Sequence, residues 1–203
     1  MIIGKWNKSV ILTYIGMISA MTGIFLSFTQ ENINYPMACL MVAGVCDLFD
    51  GTVARMCNRT EEEKAFGIEL DSLVDVVSFI ALPVAIGLRA GLTSCWYLIL
   101  FILFAVSGIA RLGYFNVVDA DISGPVKHYT GLPVTYTALI LPVVYLLRLV
   151  VDGTVFELIY ASAFAVIGLL GILKVKIIKP RGIAYIFFGL LAIGLLIVYL
   201  AVL

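Results

Sequence analysis

The sequence predicts an all-α fold, a polytopic transmembrane bundle of about six to seven helical spans. Three observations predict it. Hydrophobic residues make up 63% of the 203 residues, with a mean hydropathy of +1.12. Soluble domains are nearer about 45–50% apolar. The apolar runs are long and continuous rather than alternating, the pattern of membrane helices and not of barrel strands. Eleven of the 13 Lys and Arg residues gather at alternate connections, as expected of a chain that crosses a bilayer repeatedly. One domain over residues 1–203 accommodates the whole pattern.

Residues 1–8 are a short basic start with Trp6 as an interfacial anchor. The first apolar run, 9–28, is followed by no small-residue cleavage site. It reads as a retained helix and not as a signal peptide. Glu31 to Pro36 is a turn, and 35–55 is the second span. Residues 56–65, with three consecutive glutamates, read as a charged loop. Further spans follow at 66–89, 95–116, 132–150, 154–173 and 182–203. The longest polar connection is 117–131, and a basic linker, KVKIIKPR, precedes the last span.

Charge placement sets the orientation. With the N-terminus in the cytoplasm, Lys5, Lys8, Arg55, Arg59, Lys64, Arg111, Lys127 and the four cations of the linker face the cytoplasm. Only Arg89 and Arg148 face out. The expectation is an integral protein of a prokaryotic cell membrane with its functional loops on the cytoplasmic side. Formal net charge is zero, and no basic stripe interleaved with aromatics points to nucleic acid. Cys39, Cys46, Cys57 and Cys95 form no CxxC pair and read as small buried hydrophobes.

The informative stretch is Asp47 to Asp75. Asp47 and Asp50 are three residues apart, and Asp71 and Asp75 are four apart. Each spacing puts its pair on one face of a helix. A charged side chain at the middle of a membrane helix costs about 2.5–3.5 kcal/mol on insertion scales. Four carboxylates therefore call for compensation, and intramembrane acids mark function by default. Two pairs on adjacent antiparallel helices make an oxygen-ligand box of the kind Mg2+ or Mn2+ prefers. With no His or Cys ligand close in sequence, zinc is disfavoured. Gly51 and Ala54 let a ligand or a helix approach the backbone closely. Arg55 offers a guanidinium suited to phosphate, and Gly67 opens the next helix one turn before Asp71. Together these point to diphosphate chemistry at the membrane face. A polar cap pairing aspartates with Arg55 and Lys64 would explain one acidic pair, but not the whole set.

The pattern DxxDGxxAR…GxxxDxxxD, carried by Asp47, Asp50, Gly51, Ala54, Arg55, Gly67, Asp71 and Asp75, resembles the signature of the CDP-alcohol phosphatidyltransferase family. Between Arg55 and Gly67 there are eleven residues, more than is usual in that family. The extra residues fall in the charged loop that carries Thr60. The resemblance implies that Asp47 and Asp71 bridge two divalent cations, Mg2+ or Mn2+. It implies that Asp50 holds the first ion, and that Asp75 touches the second and acts as general base. Gly51, Ala54, Arg55, Thr60 and Gly67 form the implied CDP-lipid-binding set. A homodimer is implied as well.

Flanking segments narrow the acceptor. FGIELDSLVDVVSF, ARLGYFNV and the stretch Tyr129 to Pro133 resemble integral membrane phosphatidylserine synthases. That resemblance implies transfer of a phosphatidyl group from CDP-diacylglycerol to L-serine, with CMP leaving. Arg111, Asn116, Lys127 and His128 are the candidate acceptor-binding residues, since a zwitterionic amino acid has a carboxylate for cations to hold. Blander readings stand beside each. Arg111 could snorkel to the interface. His128, Asp119 and Asp121 could be solvated loop residues, Gly131 to Pro133 could simply start a helix, and the linker could serve topology alone. Glycerol 3-phosphate or an inositol phosphate is the alternative acceptor, although its dianion wants a denser cationic pocket. A cation-coupled transporter would have no evident need for Gly51-x-x-Ala54-Arg55. A non-catalytic scaffold would tolerate Asp75→Asn.

Overall fold

The computed structural model describes residues 3–118, 128–151, 153–178 and 183–202. A 3-10 turn, Lys8–Val10, leads into α1 (Ile11–Thr29), which is followed by α2 (Asn34–Met56). Next, α3 (Glu61–Val76) passes through a π turn, Val77–Ala81, into α4 (Leu82–Arg89). Then come α5 (Cys95–Val118) and a three-residue strand β1 (His128–Thr130). The helix α6 (Thr137–Tyr145) is flanked by 3-10 turns Val134–Tyr136 and Leu146–Leu149. The chain closes with α7 (Gly153–Ile172), strand β2 (Lys176–Ile178) and α8 (Ile183–Ile197), which ends in a second π turn, Val198–Val202. Five helical stretches among the described residues are long and apolar enough to cross a membrane, and two shorter apolar helices accompany them. The protein is a polytopic helical membrane protein.

The shorter stretch around α6 reaches further than its length suggests. Seven of its residues, three before and four after the nine of α6, are 3-10. At roughly 2.0 Å rise per 3-10 residue and 1.5 Å per α residue it extends about 27 Å, near the thickness of a hydrocarbon core.

Two sequence boundaries shift. The charged loop expected over 56–65 is shorter, because Glu61, Glu62 and Glu63 are the first turn of α3. Thr60 is its N-cap. The Thr60 hydroxyl accepts from the Glu63 amide at 3.2 Å, and the Glu63 carboxylate accepts from the Thr60 amide at 2.8 Å. This capping box satisfies two otherwise orphaned donors, and the acids suit the positive end of the helix dipole. The span expected over 66–89 is also not uniform α-helix. Pro83 lies at the start of α4. It lacks an N–H and crowds the carbonyl four residues back, and the π turn at 77–81 absorbs that misfit.

α1 packs on α2 along a small-residue stripe, Gly16, Ala20, Gly23 and Ser27, all buried. A Cβ at Gly23 would lie 2.8 Å from the Cys39 Cβ and 2.9 Å from Leu82, so the helices touch backbone to side chain, as small residues permit in membranes. Cys46 is buried on the same seam and Cys39 half-buried, but Cys95 is exposed. The expectation of buried cysteines therefore fails at the start of α5, where that side chain lies on the outer surface. At the end of the bundle away from the aspartates, the Arg89 Nε donates to the Gln30 carbonyl at 3.0 Å, and its Nη2 donates to the Glu31 carbonyl. This ties the α1–α2 turn to the end of α4.

The core is aromatic between α5 and α7. Phe164 meets Phe101 and Phe104 edge to face at 5.3 and 5.1 Å, and Tyr160 stacks on Phe156. Edge-to-face pairs add about 0.5–1.5 kcal/mol each beyond burial. β1 and β2 pair antiparallel, with Tyr129 opposite Ile177 and Thr130 opposite Lys176.

Candidate active site

Asp47 and Asp50 lie on the last turns of α2, and Asp71 and Asp75 on α3. The short connection after Met56 makes the two helices antiparallel neighbours, so the pairs face each other. Asp47 contacts Asp75, and Asp50 contacts Asp71. One carboxylate oxygen from each of Asp47, Asp71 and Asp75 lies within 4.8 Å of the other two. Such spacing fits oxygen ligands converging on a common cation, with metal–oxygen distances of about 2.0–2.1 Å for Mg2+. The three residues supply only hard oxygen donors, which suits Mg2+ or Mn2+ and not zinc. The cluster therefore fits a divalent metal centre.

Two hydroxyls reach these carboxylates from outside the aspartate stretch. Thr13 of α1, itself buried, donates to Asp50 Oδ2 at 3.1 Å. Thr135, in the 3-10 turn before α6, donates to Asp47 Oδ2 at 2.9 Å. The second contact depends on how 131–135 is held. Gly131 adopts φ +77°, and its amide donates to the Val175 carbonyl at 2.8 Å. The Leu132 amide donates to the Leu170 carbonyl at 2.9 Å. A Cβ at Gly131 would sit 2.5 Å from the Gly171 carbonyl oxygen, so only glycine fits. α6 then approaches α2 closely at Gly44, where a Cβ would lie 2.7 Å from the Ala138 Cβ.

A cavity of about 470 Å³ opens beside the cluster. Asp47, Asp50, Gly51, Thr52, Arg55 and Asp71 form its polar wall. Pro133, Thr135 and Tyr136 before α6, Leu139 on α6 and Phe188 on α8 close it. Arg55 Nη2 donates to the Thr52 hydroxyl at 3.0 Å. The pocket thus joins carboxylates and a guanidinium to an apolar wall, a combination suited to a ligand with a charged head and an apolar tail. Asp75 is buried and does not line this cavity. With Asp47, Asp50 and Asp71 it borders a second, small cavity of about 10 Å³, next to Thr13 and Ser78.

The remaining sequence candidates separate into groups. Arg111 is buried on α5, with its guanidinium 5.1 Å from the Phe115 ring centroid, and it acts electrostatically on Asp47. The Asn116 amide donates to the Ser72 hydroxyl at 2.8 Å. Ser72 and Asp75 are three residues apart on α3, so α5 approaches on the Asp75 side. Ala54, Thr60 and Gly67 are not on the wall of the larger cavity. Thr60 is engaged as a helix cap, and Gly67 faces Arg59. Lys127, Asp119 and Asp121 lie outside the described residues. His128 is placed only by its backbone, in β1.

Sequence reading missed Thr13, Ser72, Thr135, Tyr136 and Phe188. Thr13 and Thr135 are polar residues inside apolar runs, a faint signal that many hydroxyls share. Phe188 sits in an apolar run that gives no sign of a site, yet it lines the cavity.

Known proteins bear on this arrangement. A family model described as CDP-alcohol phosphatidyltransferase matches residues 6–202, and the chain belongs to that family. It is 37% identical over 124 residues to a Saccharomyces cerevisiae protein named CDP-diacylglycerol--serine O-phosphatidyltransferase, covering 58% of this chain and 43% of the relative. A Helicobacter pylori protein of the same name is 33% identical over 136 residues, covering 64% and 54%. An archaetidylserine synthase from Methanothermobacter thermautotrophicus is 33% identical over 137 residues, covering 65% and 56%. The chain spans about half the length of the curated relatives it matches.

Proposed function

Starting from that family membership, we propose that the chain transfers a phosphatidyl group from CDP-diacylglycerol to L-serine and releases CMP. The observation that carries this reading is the meeting of the aspartates with Arg55 around one half-apolar cavity. The names of the relatives support serine as the acceptor.

In this reading the diphosphate lies against Arg55, whose guanidinium suits its paired oxygens. Gly51 allows close approach to the α2 backbone, and the acyl chains leave along the apolar wall of α6 and α8. Asp47, Asp50, Asp71 and Asp75 hold two divalent cations, Mg2+ or Mn2+. When bound, those ions supply charge neutralisation for the diphosphate and the departing CMP. Serine enters from the α5 side, where Arg111 attracts its carboxylate and Asn116 orients it. Its hydroxyl oxygen forms a bond to the lipid-side phosphorus. The bond from that phosphorus to the bridging oxygen breaks, and CMP leaves with the electron pair. The hydroxyl proton passes to Asp75, a role consistent with its place on the α5-facing side of the cluster. The positive-inside bias supports a cytoplasmic site and N-terminus. The match over 6–202 supports one domain, and assembly as a homodimer completes the proposal.

The test is CMP release by purified protein with CDP-diacylglycerol and Mn2+, run against serine, glycerol 3-phosphate, inositol and inositol phosphate. Release with serine alone is expected. Release only with a phosphorylated alcohol would keep the chemistry and overturn the acceptor.

A further inference from the structure

We propose that Thr13 and Thr135 are positioning residues for the metal-binding carboxylates. They clamp the α2 aspartate pair from two sides, so that the metal centre depends on α1 and on the turn before α6. The proposal rests on the reading of the four aspartates as a divalent-cation site.

A hydroxyl has one hydrogen to donate. Three other hydroxyls on α1 spend it within the helix, and Ser19 donates to the Cys39 backbone carbonyl of α2 at 2.9 Å. Thr22, Ser27 and Thr29 each donate to the carbonyl four residues earlier, at 2.8–2.9 Å. Thr13 instead donates across to Asp50 Oδ2. Thr135 does the same for Asp47 Oδ2 from a segment 88 residues away. Each bond occupies one carboxylate oxygen, restrains the side-chain rotamer, and leaves the second oxygen for a ligand. Such an arrangement raises metal affinity by pre-orienting the ligands, and losing an outer partner of this kind typically costs about 10–100-fold in affinity or activity.

The geometry around the two hydroxyls differs, and the difference strengthens the assignment. Thr13 is carried by the continuous helix α1, clamped to α2 by the Gly16–Gly23 stripe. Thr135 is carried by an irregular segment, pinned by the amides of Gly131 and Leu132 to the carbonyls of Val175 and Leu170. Two unrelated supports deliver the same chemical group to the two aspartates of one helix. The α3 aspartates receive no such bond from a threonine among the described residues, so the hydroxyls stiffen one half of the cluster.

The experiment measures Mn2+ binding to the full-length protein in detergent by electron paramagnetic resonance, alongside the Mn2+ dependence of CMP release with CDP-diacylglycerol and serine. Thr13→Val and Thr135→Val keep shape and remove the donor. Each is expected to weaken Mn2+ binding about 10–100-fold, with turnover recovering as Mn2+ is raised. Thr13→Ser and Thr135→Ser should bind as the parent does. Where a valine variant does not fold, the serine and alanine variants at that position are compared, and alanine should bind more weakly by the same factor. Equal Mn2+ affinity for hydroxyl-bearing and hydroxyl-free variants would overturn the positioning role alone. A parent protein that binds no Mn2+, yet is folded, overturns the metal reading beneath it as well.

Discussion

At the aspartate end of the bundle, α2 and α3 border a cavity of about 470 Å³ walled by carboxylates and an arginine. In the half towards the opposite end, Phe101, Phe104, Phe156, Tyr160 and Phe164 fill the space between α5 and α7 ring against ring. Both regions lie in the same apolar bundle, yet the polar one gathers like charges and the aromatic one gathers dispersion contacts. Carboxylates brought together repel and are costly to desolvate. Interlocked rings gain contact without an electrostatic cost. The difference teaches where stability resides. The aromatic half, with the Arg89 tie across the turn, holds the helices in place, and the aspartate end uses that rigidity to keep its carboxylates converged.

Three substitutions would sharpen or break this division. The largest effect is expected from Asp75→Asn. It removes the proposed base with little change in volume, and CMP release should fall by about 10²–10⁴-fold. Thermal unfolding should be unchanged or shifted upward, because one of several crowded charges has gone. Retained turnover in a folded variant would remove Asp75 from the chemistry. Phe164→Ala comes next and should do the reverse. It leaves a hole between α5 and α7 and should lower stability by about 3 kcal/mol, read as thermal unfolding in detergent. Below the unfolding temperature the Mn2+ dependence of turnover should stay the same. A changed metal dependence would mean that the two regions are coupled more tightly than their separation suggests. The smallest effect is expected from Thr60→Ala. Loss of the capping hydroxyl should cost about 1 kcal/mol and leave KM for CDP-diacylglycerol unaltered. A raised KM with unchanged stability would restore Thr60 to the nucleotide site.

Much of the candidate site was legible because its determinants are local. Spacings of three and four residues put Asp47 with Asp50, and Asp71 with Asp75, on single helix faces whatever the rest of the chain does. The cap at Thr60 was equally local, since Thr-x-x-Glu before a helix is a start signal. The run of glutamates concealed it by making the segment look like a solvated loop. The π turn had a local sign too, in Pro83, but a proline inside an apolar run signals several kinds of distortion, and only packing selects one.

By itself the sequence determined the helical membrane class, the alternation of charged connections, and the two aspartate pairs with Gly51 and Arg55 beside them. All of these follow from composition or from contacts within one helical turn. Only the tertiary structure decided which outside groups complete the site. Thr135 meets Asp47 because the backbone of 131–132 docks on the end of α7 and because Gly44 lets α6 come close to α2. Asn116 meets Ser72 and Arg111 acts on Asp47 because α5 packs against α3, and Phe188 lines the cavity because α8 closes it. These meetings join residues tens of positions apart, and their partners are set by the shapes of several helices at once, which no local pattern encodes.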